Sequence, residues 1–372
     1  MQFNTYPLGQ QTIGTQRELV SLHYGKKSRD LKIYLQASLH ADEIPPMLVL
    51  HHLRSLLDQA EKEGLIEGEI VLVPYANAIG LSQHVMHDHL GRFDLNTGLN
   101  FNRSHPDFYE LIAENIESQL TRDIEANKRA IRKAIADALE QRPQLSELDE
   151  QRAILLKLSH DADYVLDMHC DFEALMHLYT DTPYLEQAEH LSRYLGVETL
   201  LHAEGSGGSA FDEAQAGVWY RLQELFGTRY PIPLAGCGVT IEYRGEADVS
   251  HTYAKQDAQN LFAWLCAVGV IDQSTPSEPK AKFESTPLAG CDSIDAQTTG
   301  IIVFLKELGD WVEAGEAIAE IISPVDQSAT LACATVSGKF FARTNQRFAA
   351  KGTHIGKIAG AKAFKEGVLL GA

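Results

Sequence analysis

The sequence predicts an α/β protein: a mostly parallel mixed sheet flanked by helices, followed by a smaller C-terminal all-β module. Three observations predict it. Through roughly the first two thirds of the 372 residues, short β-rich apolar runs alternate with stretches of helical spacing, the pattern of strands joined by helical crossovers. Between Asp272 and Pro287 (DQSTPSEPKAKFESTP) the composition shifts to Ser, Thr, Pro, Lys and Glu, which bury little surface and read as a linker. Beyond it, short β runs (GIIVFLK, AIAEII, ATLACATV, KFFAR) are punctuated by Gly300, Gly309, Gly315, Gly338, Gly352 and Gly356. The expected boundaries are 1–275 for the main domain, with a helical insertion at about 108–158, and 285–372 for the β-module.

In chain order, Leu31 to Leu39 (LKIYLQASL) and Ile70 to Pro74 (IVLVP) read as strands, and Pro46 to Gln59 between them carries Leu, Val and His at helical spacing. From Phe108 to Leu158 the chain is rich in Glu, Lys, Arg and Ala. Its apolar residues (Leu111, Ile116, Leu120, Ile124, Ile131, Ile135, Leu139) fit two surface helices broken near Pro143. A strand is expected at Ala162 to His169 (ADYVLDMH), then a helix around Tyr184 to Leu195. A Gly-rich loop at Gly205 to Gly208 and a strand at Gly238 to Tyr243 (GVTIEY) follow.

Charge and composition exclude several functions. Lys and Arg number 32 against 51 Asp and Glu, a net charge of −19, which repels phosphate backbones and argues against nucleic acid. The longest apolar run, Leu261 to Ile271, is shorter than the roughly 20 residues that span a bilayer, so no membrane helix is expected. The start, MQFNTYPLGQ, has neither a basic nor an apolar stretch, and a cytoplasmic location is the expectation. Cys170, Cys237, Cys266, Cys291 and Cys333 are odd in number and form no C-x-x-C, which suggests neither a disulfide framework nor a thiolate zinc site.

The chemistry concentrates where strands end. His40 and Glu43 (SLHADEIPP) follow an apolar strand and precede a helix, at the carboxyl end of the sheet where α/β folds place their sites. Three residues apart, they can aim an imidazole nitrogen and a carboxylate oxygen at one cation, matching zinc's N and O donors at roughly 2 Å. A third ligand is needed, and His169, which ends a second strand in DYVLDMHCD, is the best placed. Two histidines and a glutamate leave a fourth position for water, as a catalytic zinc requires. Asp167 shares a strand face with His169 and would orient an imidazole from behind.

These residues resemble the succinylglutamate desuccinylase/aspartoacylase family, relatives of the zinc carboxypeptidases. In that family a strand ends in H-G-D-E, here His40-Ala41-Asp42-Glu43, and a later one in D-x-H, here Asp167-Met168-His169. The resemblance implies one Zn2+ per chain, held by His40, Glu43 and His169. It also implies a zinc carboxypeptidase-like fold. The family's N-R motif is matched by Asn102-Arg103 in LNFNRSHPDF, where the guanidinium fork suits a substrate carboxylate. Its catalytic glutamate is matched by Glu242 in GVTIEYRG, with Glu246 a decoy in the same loop. Arg92 (HLGRFDLN) stands where relatives carry another substrate-binding arginine, and Arg229 is a weaker candidate. One departure is Asn100, which replaces the aspartate of D-x-N-R and would accept a hydrogen bond without supplying charge.

The β-module resembles the lipoyl-like barrel-sandwich modules appended to some relatives, through the turn Gly309-Asp310-Trp311-Val312-Glu313-Ala314-Gly315. Carrier versions present a lysine at a hairpin tip, here Ser323 to Thr330, which has none, so the module reads as structural or assembly-forming. With the helical insertion, it leaves room for a homo-oligomer. His84, His87 and His89 sit on an irregular loop, and His51 and His52 on a helix, so solvated or packing roles are expected for them. Gly205 to Gly208 lacks the P-loop lysine and reads as a loop able to close over substrate. No G-x-S-x-G elbow points to a covalent nucleophile. The expected activity is zinc-dependent hydrolysis of the amide of an N-acyl amino acid or related small carboxylate. The alternatives are a peptidase or esterase on the same fold, or a binding protein with a vestigial metal site.

Overall fold

Nine strands among the described residues join one mixed sheet in the order Gln2–Pro7, Glu18–Gly25, Glu69–Val73, Lys32–Ala37, Tyr164–Asp171, Cys237–Gly245, His177–Asp181, Thr199–Ala203 and Ser285–Pro287. The computed structural model describes residues 1–9, 12–26, 31–275 and 277–370; Pro276 of the expected linker and the last two residues of the β-module lie outside the described residues. At the centre, Lys32–Ala37, Tyr164–Asp171 and Cys237–Gly245 run parallel. Their side chains are buried almost throughout, and most of them are apolar. His177–Asp181 lies antiparallel beside Cys237–Gly245, and the two N-terminal strands form an antiparallel edge.

Helix Pro45–Lys62 begins with prolines in its first turn, where no backbone donor is lost, and buries Val49, Leu50, Leu53, Leu57 and Ala60. It packs against His251–Ala267. The stretch from Phe108 forms three helices where the sequence suggested two: Phe108–Ile116, Ile124–Gln141 and Glu147–Ser159. The additional break comes from Asp123, whose side chain caps the second helix by accepting the Ala126 N–H. The break near Pro143 is present, with Ser146 as the next cap.

Six elements of the main domain left no clear periodic signal. His177–Asp181 (HLYTD) and Thr199–Ala203 (TLLHA) are five-residue strands with mixed composition. Gln2–Pro7 is largely exposed, and Glu18–Gly25 is mostly buried without alternation. Helix Phe211–Phe226 buries Phe211, Ala214, Val218, Trp219, Leu222 and also Asp212 and Gln215, so its pattern has no clean polar face. His251–Ala267 carries the apolar run noted in the sequence only at its end.

The C-terminal strands form two antiparallel sheets. One runs Cys291–Asp295, His354–Gly360, Gly338–Arg343, Trp311–Val312, and the other Ala329–Cys333, Ala317–Ile322, Gly300–Phe304, Phe348–Ala349. Ile294, Ile302, Ile318, Ile321, Phe340 and Ile358, drawn from both, share one core. The chain enters this module from Ser285–Pro287, which is itself paired to the main sheet. The short strand Glu173–Ala174 returns the contact by pairing with Gly338–Arg343. No helix among the described residues is long and apolar enough to cross a membrane.

Candidate metal centre and active-site cavity

The central strands bring three ligand candidates to one point. After Lys32–Ala37, Ser38 takes a positive φ of 58°. Its amide bonds to the Met168 carbonyl, tying this turn to the strand of His169. The Glu43 N–H closes back on the His40 carbonyl at 3.2 Å, and the Ser38 hydroxyl donates to the Glu43 carbonyl at 2.6 Å. His40, Glu43 and His169 are all buried, and one ligand atom from each falls within 4.8 Å of the others.

The hydrogen bonds behind these side chains select which atoms face inward. His40 Nε2 lies 2.9 Å from Asn100 Oδ1, and His169 Nε2 lies 2.9 Å from Asp167 Oδ2. The Asn100 oxygen holds the proton on His40 Nε2 and leaves its Nδ1 as the basic nitrogen, while Asp167 stands against His169 Nε2 as a charged contact. Both Nδ1 atoms then face Glu43, His40 at 2.8 Å from Oε1 and His169 at 2.7 Å from Oε2. Two imidazole nitrogens and a carboxylate, buried and oriented from behind, are a donor set that fits zinc. Asp167 Oδ1 accepts from Gln36 Nε2 at 2.8 Å, and Gln36 Oε1 accepts from the Tyr34 hydroxyl.

The electrostatics follow the same geometry. Burial alone would raise Glu43, but the two histidines hold its carboxyl well below the usual range. Burial alone would lower His169, yet the Asp167 and Glu43 carboxylates raise it well above an ordinary imidazole. Glu242, paired with His169 across neighbouring strands, is pushed up to about 8 by burial, then by Glu43 and Asp171. Its Oε2 is buried with no hydrogen-bond partner.

His40, Glu43, Arg92, Asn102, Arg103, His169 and Glu242 all line one cavity. Their roles there differ. Arg92 turns its guanidinium onto Glu43, with Nη1 3.1 Å from Oε1. Asn102 uses its carbonyl to accept the Phe211 N–H at 2.8 Å, while its amide nitrogen rests 3.4 Å from His169 Nε2. Arg103 is lowered by burial, then by Arg92, and is countered by Asp212, Glu213 and Glu242. The Gly-rich loop folds over it: a Cβ on Gly208 would stand 2.6 Å from Arg103 Cδ. The Ser104 N–H bonds to the Gly208 carbonyl at 3.1 Å.

The set-aside groups lie elsewhere. Arg229 pairs with Glu117 at the surface, and Glu246 accepts from Asn345 of the β-module at 3.0 Å. His84 stacks on His89 with ring centroids 4.5 Å apart, and His52 meets His251 at 2.9 Å on exposed helices. The structure adds Tyr179, Asp181, Ser206, Asp212 and Lys357 to the cavity wall. Lys357 comes from the β-module and donates to Asp171 at 2.5 Å. Nothing in THIGKIAG marks it, because its partner stands 186 residues away.

Comparison with known proteins bears on the fold and the family. A crystal structure of a succinylglutamate desuccinylase/aspartoacylase family protein from Shewanella amazonensis SB2B superposes with a TM-score of 0.84 at 23% identity, covering 96% of this chain and 98% of that one. A protein of the same family name from Shewanella frigidimarina NCIMB 400 gives 0.83 at 23% identity, covering 96% of both chains. A succinylglutamate desuccinylase from Silicibacter sp. TM1040 gives 0.65 at 14% identity, covering 97% and 95%. At these identities the likeness is one of fold. No curated protein matches the sequence. Residues 29–267 match the model of the succinylglutamate desuccinylase/aspartoacylase catalytic domain, a span that contains His40, Glu43, Asn102, Arg103, His169 and Glu242. With well over half of its length so matched, the chain belongs to the succinylglutamate desuccinylase/aspartoacylase family.

Proposed function

We propose that this protein is a zinc-dependent hydrolase that cleaves the amide of an N-acyl amino acid or a related small carboxylate. The observation that carries the reading is the convergence of His40 Nδ1, His169 Nδ1 and Glu43 in the cavity that also holds Glu242 and Arg103. A bound Zn2+ supplies positive charge that acidifies water, polarises the acyl carbonyl and favours the ionised form of Glu242. Arg103 anchors the substrate carboxylate, its guanidinium shielded by the loop at Gly208. Glu242 Oε2 takes a proton from the attacking water and returns it to the departing nitrogen. Asn102, accepting the Phe211 N–H, ties the segment that carries Arg103 to the start of that helix.

The β-module serves this site as a wall. Its hairpin turn between Ala317–Ile322 and Ala329–Cys333 holds no lysine for a swinging arm, whereas Leu288, Lys357 and Leu370 line the cavity. A lipoyl-like barrel-sandwich with a structural role is the reading this supports.

The test is metal analysis and turnover on a panel of N-acyl amino acids, short peptides and esters. About one zinc per chain is expected in the parent and in Glu242→Gln, with turnover of an N-acyl amino acid lowered about 10²- to 10⁴-fold in the variant. A metal-loaded Glu242→Gln protein that works at the parental rate defeats the role of Glu242. Activity confined to peptides defeats the deacylase reading.

A further inference from the structure

One end of the cavity has a chemistry that the hydrolytic groups leave unexplained. His177 pairs with Glu242 and Tyr179 with Thr240, so by strand alternation His177, Tyr179 and Asp181 share a face with Glu242. Asp181 ends that strand four residues beyond His177, about 13 Å along it by the strand rise. It lines the cavity together with Thr240, Ser206 and Asp212. Asp181 is 5% exposed and Ser206 4% exposed.

Two acceptors there have no partner. Asp181 Oδ1 accepts the Gly205 N–H at 3.2 Å, while Oδ2 has no hydrogen-bond partner, and neither has the Ser206 hydroxyl. Burial raises the Asp181 carboxyl far above its ordinary value, and the charged groups acting next upon it are acidic: Asp212, Glu213 and Glu204. Glu213 is already occupied, accepting the backbone N–H groups of Ser206 and Ala210. Asp212 is pushed up to about 7, by burial and then by Glu213 and Asp167. A buried, acidic end with unsatisfied acceptors is complementary to a group that brings both positive charge and N–H donors. Arg103 lines the same cavity and is acted on by Asp212 and Glu213 as well as Glu242.

We propose that Asp181 and Ser206 form a subsite for a primary ammonium group, so that the substrate is an N-acyl diamino acid whose second amine is free and charged. The inference rests on the deacylase reading above for the orientation of the substrate. The α-carboxylate meets Arg103, the acyl amide faces Glu242, and the side chain runs along the strand face past Thr240 to Asp181. The distance favours a long side chain, of the ornithine or lysine type, over a short one.

Equilibrium binding tests the subsite without turnover. L-lysine and its uncharged isostere L-norleucine are titrated into the zinc-loaded parent and into the Asp181→Asn and Ser206→Ala variants. Lysine is expected to bind the parent at least about tenfold tighter than norleucine, the gain of one charged hydrogen bond. That ratio is expected to fall toward one in Asp181→Asn and partway in Ser206→Ala, whose smaller change guards against a folding artefact in the first variant. Equal binding of the two amino acids to the parent, or an unchanged ratio in both variants, overturns the subsite. Turnover of Nα-acetyl-lysine, Nα-acetyl-ornithine, Nα-acetyl-norleucine and Nα-acetyl-glutamate separates the two levels. Preference for norleucine or glutamate overturns the ammonium subsite and leaves the deacylase standing. Preferential lysine binding with no turnover of any of the four keeps the subsite and overturns the deacylase.

Discussion

Asn100 occupies the position from which His40 is oriented, and it does so as a neutral amide. A carboxylate there would make the imidazole a stronger ligand, and Asp167 already stands 2.9 Å from His169 Nε2. Asn100→Asp is therefore expected to bind zinc about tenfold tighter, read by competition with a chelator, and Asp167→Asn about 10- to 100-fold weaker. His105 shows a different residue-scale effect. It is 4% exposed, packs edge-on against Phe211 at 5.3 Å, and neither ring nitrogen has a hydrogen-bond partner. Burial, then Arg152, lowers its pKa from 6.5 to about 3. Because the folded value lies below the unfolded one, the neutral ring costs nothing above pH 6.5, and stability is lost as pH falls below 6.5 toward about 3. His105→Phe keeps the shape and removes that proton. Its denaturant midpoint is expected to fall less steeply on acidification, with a slope reduced by up to about 1.4 kcal/mol per pH unit.

At the scale of elements, the site depends on how closely helix Phe211–Phe226 approaches the strand that carries Glu242. Gly238 allows the contact: a Cβ there would lie 2.3 Å from the Asp212 carbonyl, a backbone atom that moves only if the helix moves. Gly238→Ala is expected to destabilise the fold by about 1–3 kcal/mol, measured by denaturant unfolding. It is also expected to displace Asp212, Asn102 and Arg103, so substrate affinity should suffer with stability. The central strands are readable from sequence because each is buried on both faces and is rich in β-branched and other apolar residues. Strands at Asp181 and Ala203 were not, since five residues with a polar end resemble a loop. Asp123 as a cap was present in the sequence, and attention to that single residue separates the two helices that were merged.

At the scale of the whole molecule, the cavity is closed by a second set of sheets. Lys357 reaches Asp171, whose other oxygen accepts the Phe172 N–H, and the side chains of the pair are only 26% and 13% exposed. Removing one partner leaves the other charge buried beside Glu43 and Glu242. Lys357→Met is expected to cost on the order of 3 kcal/mol in unfolding free energy, and much less in an Asp171→Asn background, so a double-mutant cycle should show coupling. Equal losses in both backgrounds would mean that the pair contributes nothing. Composition and local pattern were enough to read the class of fold and the β-rich C-terminal module and to single out His40, Glu43 and His169, while Arg103 and Glu242 were singled out through the family resemblance. Those features are local: strand ends, turn spacing and short motifs are written within a few neighbouring residues. The folded chain alone shows that Nδ1 rather than Nε2 faces the centre, that Arg92 leans on Glu43, that Lys357 enters from another module, and that Asp181 Oδ2 in the cavity wall has no hydrogen-bond partner. Each depends on side chains brought together from distant segments by packing, and no pattern along one stretch of chain encodes a distance across the fold.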